Sequence, residues 1–208
     1  MLKKTILCLS LLTALSVKAY PAPYTTTNTT TQPAASQKTT SITILTPRMR
    51  DALIQQISME QGSSNLYLTF ASYFGDIGLD GCEAFFRNSS KEETEHALRF
   101  YNLLIDRGEK FQLQAVNASA LMPTSPLDAF TKLMDNEILV TRAIHNLYTI
   151  ALEEKDYATQ VFLQDFLLLQ VQEEKEAQDL LDLLSSGPTD PALLLLFDNK
   201  VKEMSEHD

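Results

Sequence analysis

The chain has 208 residues and a formal charge of −10. That acidic balance disfavours nucleic acid, whose affinity comes largely from Lys and Arg neutralising phosphates, and it suits a protein that attracts cations. Six glycines and no alternating strand pattern argue against β architecture and for an all-α fold.

The first segment reads as a leader rather than as fold material. Lys3 and Lys4 precede an apolar run from Ile6 to Val17, and Val17-Lys18-Ala19 ends it with a plausible cleavage site. The run is about a dozen residues, short of the roughly 20 that a membrane span needs. Residues 1–19 are therefore expected to be a signal peptide. Its removal takes three lysines and no acids, leaving a formal charge of −13, and the product is expected to be exported and free of the membrane. Cys8 leaves with the leader, so Cys82 has no partner for an internal disulfide and stability must come from packing. Residues 20–44, rich in Thr, Pro, Ala, Ser and Gln, lack the apolar surface to offset the entropy of ordering and are expected to form a flexible tail.

From residue 45 onward one domain is predicted, of a size that a single core can serve. Thr46-Pro47 and Ser125-Pro126 each set a capping hydroxyl before a proline at the first helical position, and Asp190-Pro191 does so with a carboxylate. Stops fall near Gly75 to Gly81, at Gly108 and at Ser186-Gly187-Pro188. The predicted helices span about 47–75, 82–108, 126–154, 157–185 and a short 190–204. A connection of roughly 15 residues separates the second from the third, long for neighbouring helices. Four long helices with one long crossover match a ferritin-like bundle better than a simple up-down-up-down one.

Helical spacing then locates the core stripe of each helix, because residues three, four and seven apart share a face. The first stripe runs Leu53, Ile57, Glu60, Ser64, Tyr67, Phe74. The second runs Phe86, Glu93, His96, Phe100, Leu103. The third is Phe130, Leu133, Glu137, Thr141, Ile144, and the fourth Phe166, Gln170, Glu173, Ala177, Leu180. Every long helix thus places an acid or amide in the line that should be buried. A lone buried carboxylate costs several kcal/mol, on the order of magnitude, unless protonated, paired or bound to metal. Arg99, Arg142 and Lys175 fall off these lines, so cations are the predicted compensation. Carboxylates with one imidazole and no thiolate favour iron or manganese over structural zinc. Glu93-x-x-His96 has the spacing that di-iron bundles use. One buried glutamate, one E-x-x-H or one core tyrosine is ordinary in a helical protein; their co-occurrence on four helices carries the argument.

At these residues the chain resembles the ferritins, across nearly all of residues 47–205. Lys91-Glu92-Glu93-Thr94-Glu95-His96-Ala97 resembles the E-E-x-x-H-A signature of that family's second helix. Glu60 precedes Tyr67 by seven residues, as on its first helix, and Gln170-x-x-Glu173 stands where its fourth completes the centre. The resemblance is to a bacterial-type, non-haem ferritin, and implies a non-haem di-iron ferroxidase centre. Glu60, Glu93 and His96 would hold one iron, with Glu93 bridging. Glu137 would bind the second, Gln170 would orient a water or oxygen ligand, and Tyr67 would sit beside the pair. Fe(II) would be oxidised by O2 or peroxide, and Fe(III) stored as mineral inside a homo-oligomeric shell, of 24 subunits by resemblance.

Several positions depart from the family pattern. Glu92 and Glu173 match a third iron site found in bacterial ferritins, but Leu169 and Gln172 replace acids there, so that site is expected to be weak or absent. Val161 and Gln164 stand where animal ferritins place two acids at a three-fold pore, and Thr94 stands where bacterioferritin has its haem-ligating methionine. Ala192-Leu193-Leu194-Leu195-Leu196-Phe197 suggests either a helix lining a four-fold axis or one packed on its own bundle. His145 and His207 are given no role. Asn28, Asn88 and Asn117 open sequons for N-glycosylation. Two other readings compete with the ferroxidase: a secreted protein that scavenges iron without turnover, and a purely structural helical bundle or DNA-protecting mini-ferritin. The acidic charge and a metal site built within one subunit argue against the mini-ferritin.

Overall fold

The computed structural model describes residues 45–116, 122–187 and 190–205. The expected leader (1–19) and Thr/Pro-rich tail (20–44) lie outside them, as do Asn28, Asn117 and His207. Five helices follow in order: α1 Pro47–Asp76, α2 Asp80–Asp106, α3 Pro126–Glu153, α4 Tyr157–Ser185 and α5 Pro191–Ser205. No strand occurs among the described residues, and no helix there is long and apolar enough to cross a membrane.

The caps that the sequence announces are formed. Thr46 Oγ1 accepts from the Met49 amide at 3.1 Å, and Ser125 Oγ from that of Asp128 at 3.0 Å. Asp156 Oδ1 caps α4 through the Thr159 amide, and Asp190 Oδ1 caps α5 through that of Ala192. Each satisfies one of the amides that a helix start leaves without a partner. The second helix differs. Leu79 offers no side-chain cap, and Asp198 of α5 supplies it instead, accepting from the amides of Gly81 (3.1 Å) and Cys82 (2.7 Å). A β-carbon on Gly81 would lie 2.1 Å from the Asp198 carbonyl oxygen, so only glycine lets α5 approach this closely.

Two boundaries of the second helix differ from expectation: Gly81, expected to precede it, lies within it, and Gly108, expected to end it, lies beyond it. Gly78 and Gly108 take positive φ (75° and 74°), the left-handed geometry that ends helices. The second helix therefore starts at Asp80 and ends at Asp106, and the crossover spans 107–125, longer than predicted.

Contacts define the topology. Thr46 at the start of α1 donates to Glu154 just beyond the end of α3, while Tyr67, further along α1, meets Glu137 nearer the start of α3. These two helices are therefore antiparallel. Ser64 with Ser90 and Phe74 with Phe86 run α1 antiparallel to α2; Phe100 with Phe166 and Arg107 with Asp156 do the same for α2 and α4. The long crossover follows from this, because α2 and α3 point the same way and a tight turn cannot join them. Phe197 and Val201 of α5 are buried on the bundle, whereas Leu195 and Leu196 are exposed; one face of that helix packs at home and the other is left over.

The apolar core comes in two clusters. One gathers Phe70, Phe74, Phe86, Phe130 and Phe197 toward the α5 end, and the other Leu53, Ile57, Phe100, Ile144 and Phe166 toward the opposite end. Between them lie buried Glu60, Glu93, Glu137 and Gln170.

Candidate metal centre

Each polar residue predicted at mid-helix faces this gap. Glu60 comes from α1, Glu93 and His96 from α2, Glu137 from α3, Gln170 and Glu173 from α4. Glu60, Glu93, Glu137 and Gln170 are no more than 4% exposed. One ligand atom each from Glu60, Glu93 and His96 lies within 4.8 Å of the others, a spacing that one ion can bridge. His96 Nδ1 is 3.3 Å from Glu93 Oε2, and its Nε2 is 3.9 Å from Glu173 Oε1.

Glu60 and Glu137 each have one carboxylate oxygen held and one that is not. Gln56 Nε2 donates to Glu60 Oε1 at 2.9 Å, and the Tyr67 hydroxyl donates to Glu137 Oε1. The second oxygens, Glu60 Oε2 and Glu137 Oε2, are buried with no hydrogen-bond partner. Unpaired buried acceptors are costly, and here two of them belong to acids. Among the described residues no arginine or lysine pairs with these acids: Arg99 pairs with Asp165 and lies over the Phe166 ring, and Lys175 pairs with Asp179. Arg142 lines a separate groove between α1 and α3.

The consequence is a set of acids that resist ionisation. Burial raises the Glu60 carboxyl well above its ordinary range, and the Glu93 charge adds to this. Glu93 is raised by burial, then by Glu137 and Glu173. Burial also raises Glu137, against the lowering effect of the Tyr67 hydrogen bond. Glu173 is pushed up to about 8, by burial first and the Glu137 charge second. Tyr67 is held well above the usual phenol value by burial and by Glu137. A cation among these groups removes the penalty for all of them together, and oxygen-rich donors with one imidazole fit iron or manganese.

The two remaining positions are placed more loosely. Gln170 Oε1 accepts from Thr141 Oγ1 at 2.8 Å and its amide nitrogen donates to Glu173, and a Gln170 hydrogen bond also lowers Glu137. Glu92 is exposed. With Glu173, Glu176, Glu93 and Glu137 it lines a pocket of about 30 Å³, enough for one or two waters. Leu169 and Gln172 do not join this pocket.

The ferritin-like domain family matches this chain over residues 50–186. The chain belongs to the ferritin family. A bacterial non-heme ferritin of Staphylococcus aureus is 32% identical over 158 residues, covering 76% of this chain and 95% of that relative. One from Bacteroides fragilis is 34% identical over 139 residues, covering 67% of this chain and 87% of its own. Among solved structures, an open pore ferritin from Archaeoglobus fulgidus superposes with a TM-score of 0.73 at 37% identity, covering 76% of this chain and 98% of that one. The ferritin fold expected from the helix stripes is thereby shown, with its short fifth helix.

Sequence reasoning gave no role to four residues of this ferritin's centre, although it had placed Thr141 on the third stripe. Gln56 sits one turn before Glu60, Thr141 one turn after Glu137, Asn136 directly before Glu137, and Glu176 one turn after Glu173. Three of them lay in the same i, i+3/i+4 pattern as the acids they serve, and that signal was available. Asn136 was not on any stripe; its only sign is a poor helix former at mid-helix.

Proposed function

We propose that this ferritin stores iron by oxidising Fe(II) at a dinuclear site between α1, α2, α3 and α4 and depositing Fe(III) inside a homo-oligomeric shell. The buried, unpartnered Oε2 atoms of Glu60 and Glu137 carry this reading. They lie on separate helices, on two acids whose charges each interact with that of Glu93. Glu60, Glu93 and His96 take one Fe(II); Glu93, Glu137 and Glu173 take the other, with Gln170 holding Glu173. Tyr67 keeps one Glu137 oxygen occupied. Anionic oxygen donors stabilise the harder ferric ion more than the ferrous one, so the donor set itself favours oxidation. Two Fe(II) give up two electrons, which with two protons reduce O2 to hydrogen peroxide or peroxide to water. Glu92 and Glu176, beside the small pocket, lead ions between the site and the protein surface. Leu152, Val161, Leu168, Val171, Leu195 and Leu196 are exposed apolar residues of the kind that subunit contacts cover.

Fe(II) added in air to residues 20–208 should give ferric absorbance with more than two iron atoms retained per chain in a particle of several hundred kilodaltons. Glu93→Ala should lose the fast phase. Binding of about two Fe(II) per chain without oxidation or mineral growth would favour the scavenging alternative. Export through residues 1–19 is part of the same proposal, and the mass of the protein recovered outside the cytosol tests it.

A further inference from the structure

We propose that Asn136 is a positioning residue that aims the Tyr67 proton at Glu137 and so keeps Glu137 Oε2 free for iron. The proposal rests on the ferroxidase reading but concerns a residue outside its ligand set. Asn136 Nδ2 makes two contacts of 2.9 Å, one to Ser63 Oγ and one to the Tyr67 hydroxyl oxygen. An amide nitrogen donates and cannot accept. Both partners must therefore act as acceptors toward Asn136 and send their own protons elsewhere. Ser63 sends its proton to the Met59 carbonyl at 3.3 Å. Tyr67 sends its proton to Glu137 Oε1.

The direction of this chain matters for the centre. A phenol that donates to Oε1 satisfies that atom and marks Glu137 as an acceptor, leaving Oε2 as the oxygen without a partner. The position of the phenol is set separately. Its ring is fully buried and flanked by Phe70 and Phe86, with centroids 6.3 and 5.9 Å away. Packing fixes where the hydroxyl lies, and Asn136 fixes which way its hydrogen points. An acceptor at position 136 would reverse the chain: Tyr67 would donate to it, and Glu137 Oε1 would lose its donor.

The test is a double-mutant cycle in the assembled full chain. Asn136→Asp keeps the shape and exchanges donor for acceptor; Asn136→Leu removes the donor and guards against failure of the first variant to assemble. Each is made alone and with Tyr67→Phe. Two readouts are followed, the Fe(II) oxidation rate at saturating iron and the visible spectrum of Co(II) bound at the centre. With Tyr67 present, Asn136→Asp should slow oxidation about tenfold and Asn136→Leu about threefold, and both should shift the Co(II) bands. Asn136→His, which can restore an N–H donor, should recover most of the rate. In the Tyr67→Phe background both effects should shrink to less than about twofold. Equal losses with and without Tyr67, or an unchanged Co(II) spectrum in Asn136→Asp, would overturn the role. If the unaltered protein bound Co(II) but did not oxidise Fe(II), the ferroxidase reading would fall, and the Co(II) spectra alone would still decide whether Asn136 acts through Tyr67.

Discussion

Replacing Glu173 with glutamine removes a charge from the centre while keeping its shape and its contact with Gln170. Burial, with the neighbouring Glu137 charge, holds the Glu173 carboxyl at about 8. An acid whose folded-state pKa lies above its unfolded value contributes stability that is fully present below the unfolded pKa and is lost as pH rises through the folded one. With an unfolded glutamate near ~4.3, ionising Glu173 in the cation-free fold costs about 1 kcal/mol at pH 5, about 4 at pH 7 and about 5 at pH 8. Glu173→Gln has no such dependence. In chelator, at fixed subunit concentration and scan rate, its Tm should exceed that of the unaltered protein by a few degrees at pH 5 and by roughly 10 °C at pH 8. Added Co(II) should close this gap, because the cation relieves the acid and does little for the amide. A Tm for Glu173→Gln below the unaltered protein at pH 8, or an equal gain at both pH values, would refute the view that the acids strain the metal-free fold.

Further expectations concern the frame around the centre. Gly81→Ala should push α5 from α2, at a cost of about 2 kcal/mol, with faster hydrogen exchange in residues 191–205; unchanged exchange there would contradict the close approach. Asp198→Ala should cost about 1–2 kcal/mol by uncapping α2, measurable by chemical denaturation. Arg107 and Asp156 form a largely buried pair, and Arg107→Ala should cost about 3 kcal/mol in the same assay. Burial alone would raise the Asp156 carboxyl, but hydrogen bonds from Arg107 and Thr159 outweigh it and hold it below the usual range. Its stabilisation is thus present above an unfolded pKa near ~3.9 and lost as pH falls through the lowered one, so Asp156→Asn should flatten the acid limb of the stability profile.

Most of this architecture could be read in the chain because it depends on short-range rules. Thr46-Pro47 and Ser125-Pro126 announce their helix starts locally, and helical spacing placed Glu60, Glu93, Glu137 and Gln170 on buried faces without any knowledge of their neighbours. What stayed hidden depends on residues far apart in sequence. Asp198 caps a helix that begins more than a hundred residues earlier, and no local pattern at Leu79 points to it. Asn136 bridges Ser63 and Tyr67 from a position off the core stripe, so periodicity assigned it no face. Glu92 is the converse case: its motif position matched a third iron site expected to be weak or absent, and its side chain is exposed.

The acids divide the greasy interior into two compartments, one around Phe86 and the other around Phe166. A protein so partitioned has a waist at which buried polar side chains, rather than continuous apolar packing, join its helices. An ion bound there would act as a rivet, making the two ends melt as one. Stripped of metal, the same chain should loosen end by end, so that loading with iron tightens the very vessel that receives it.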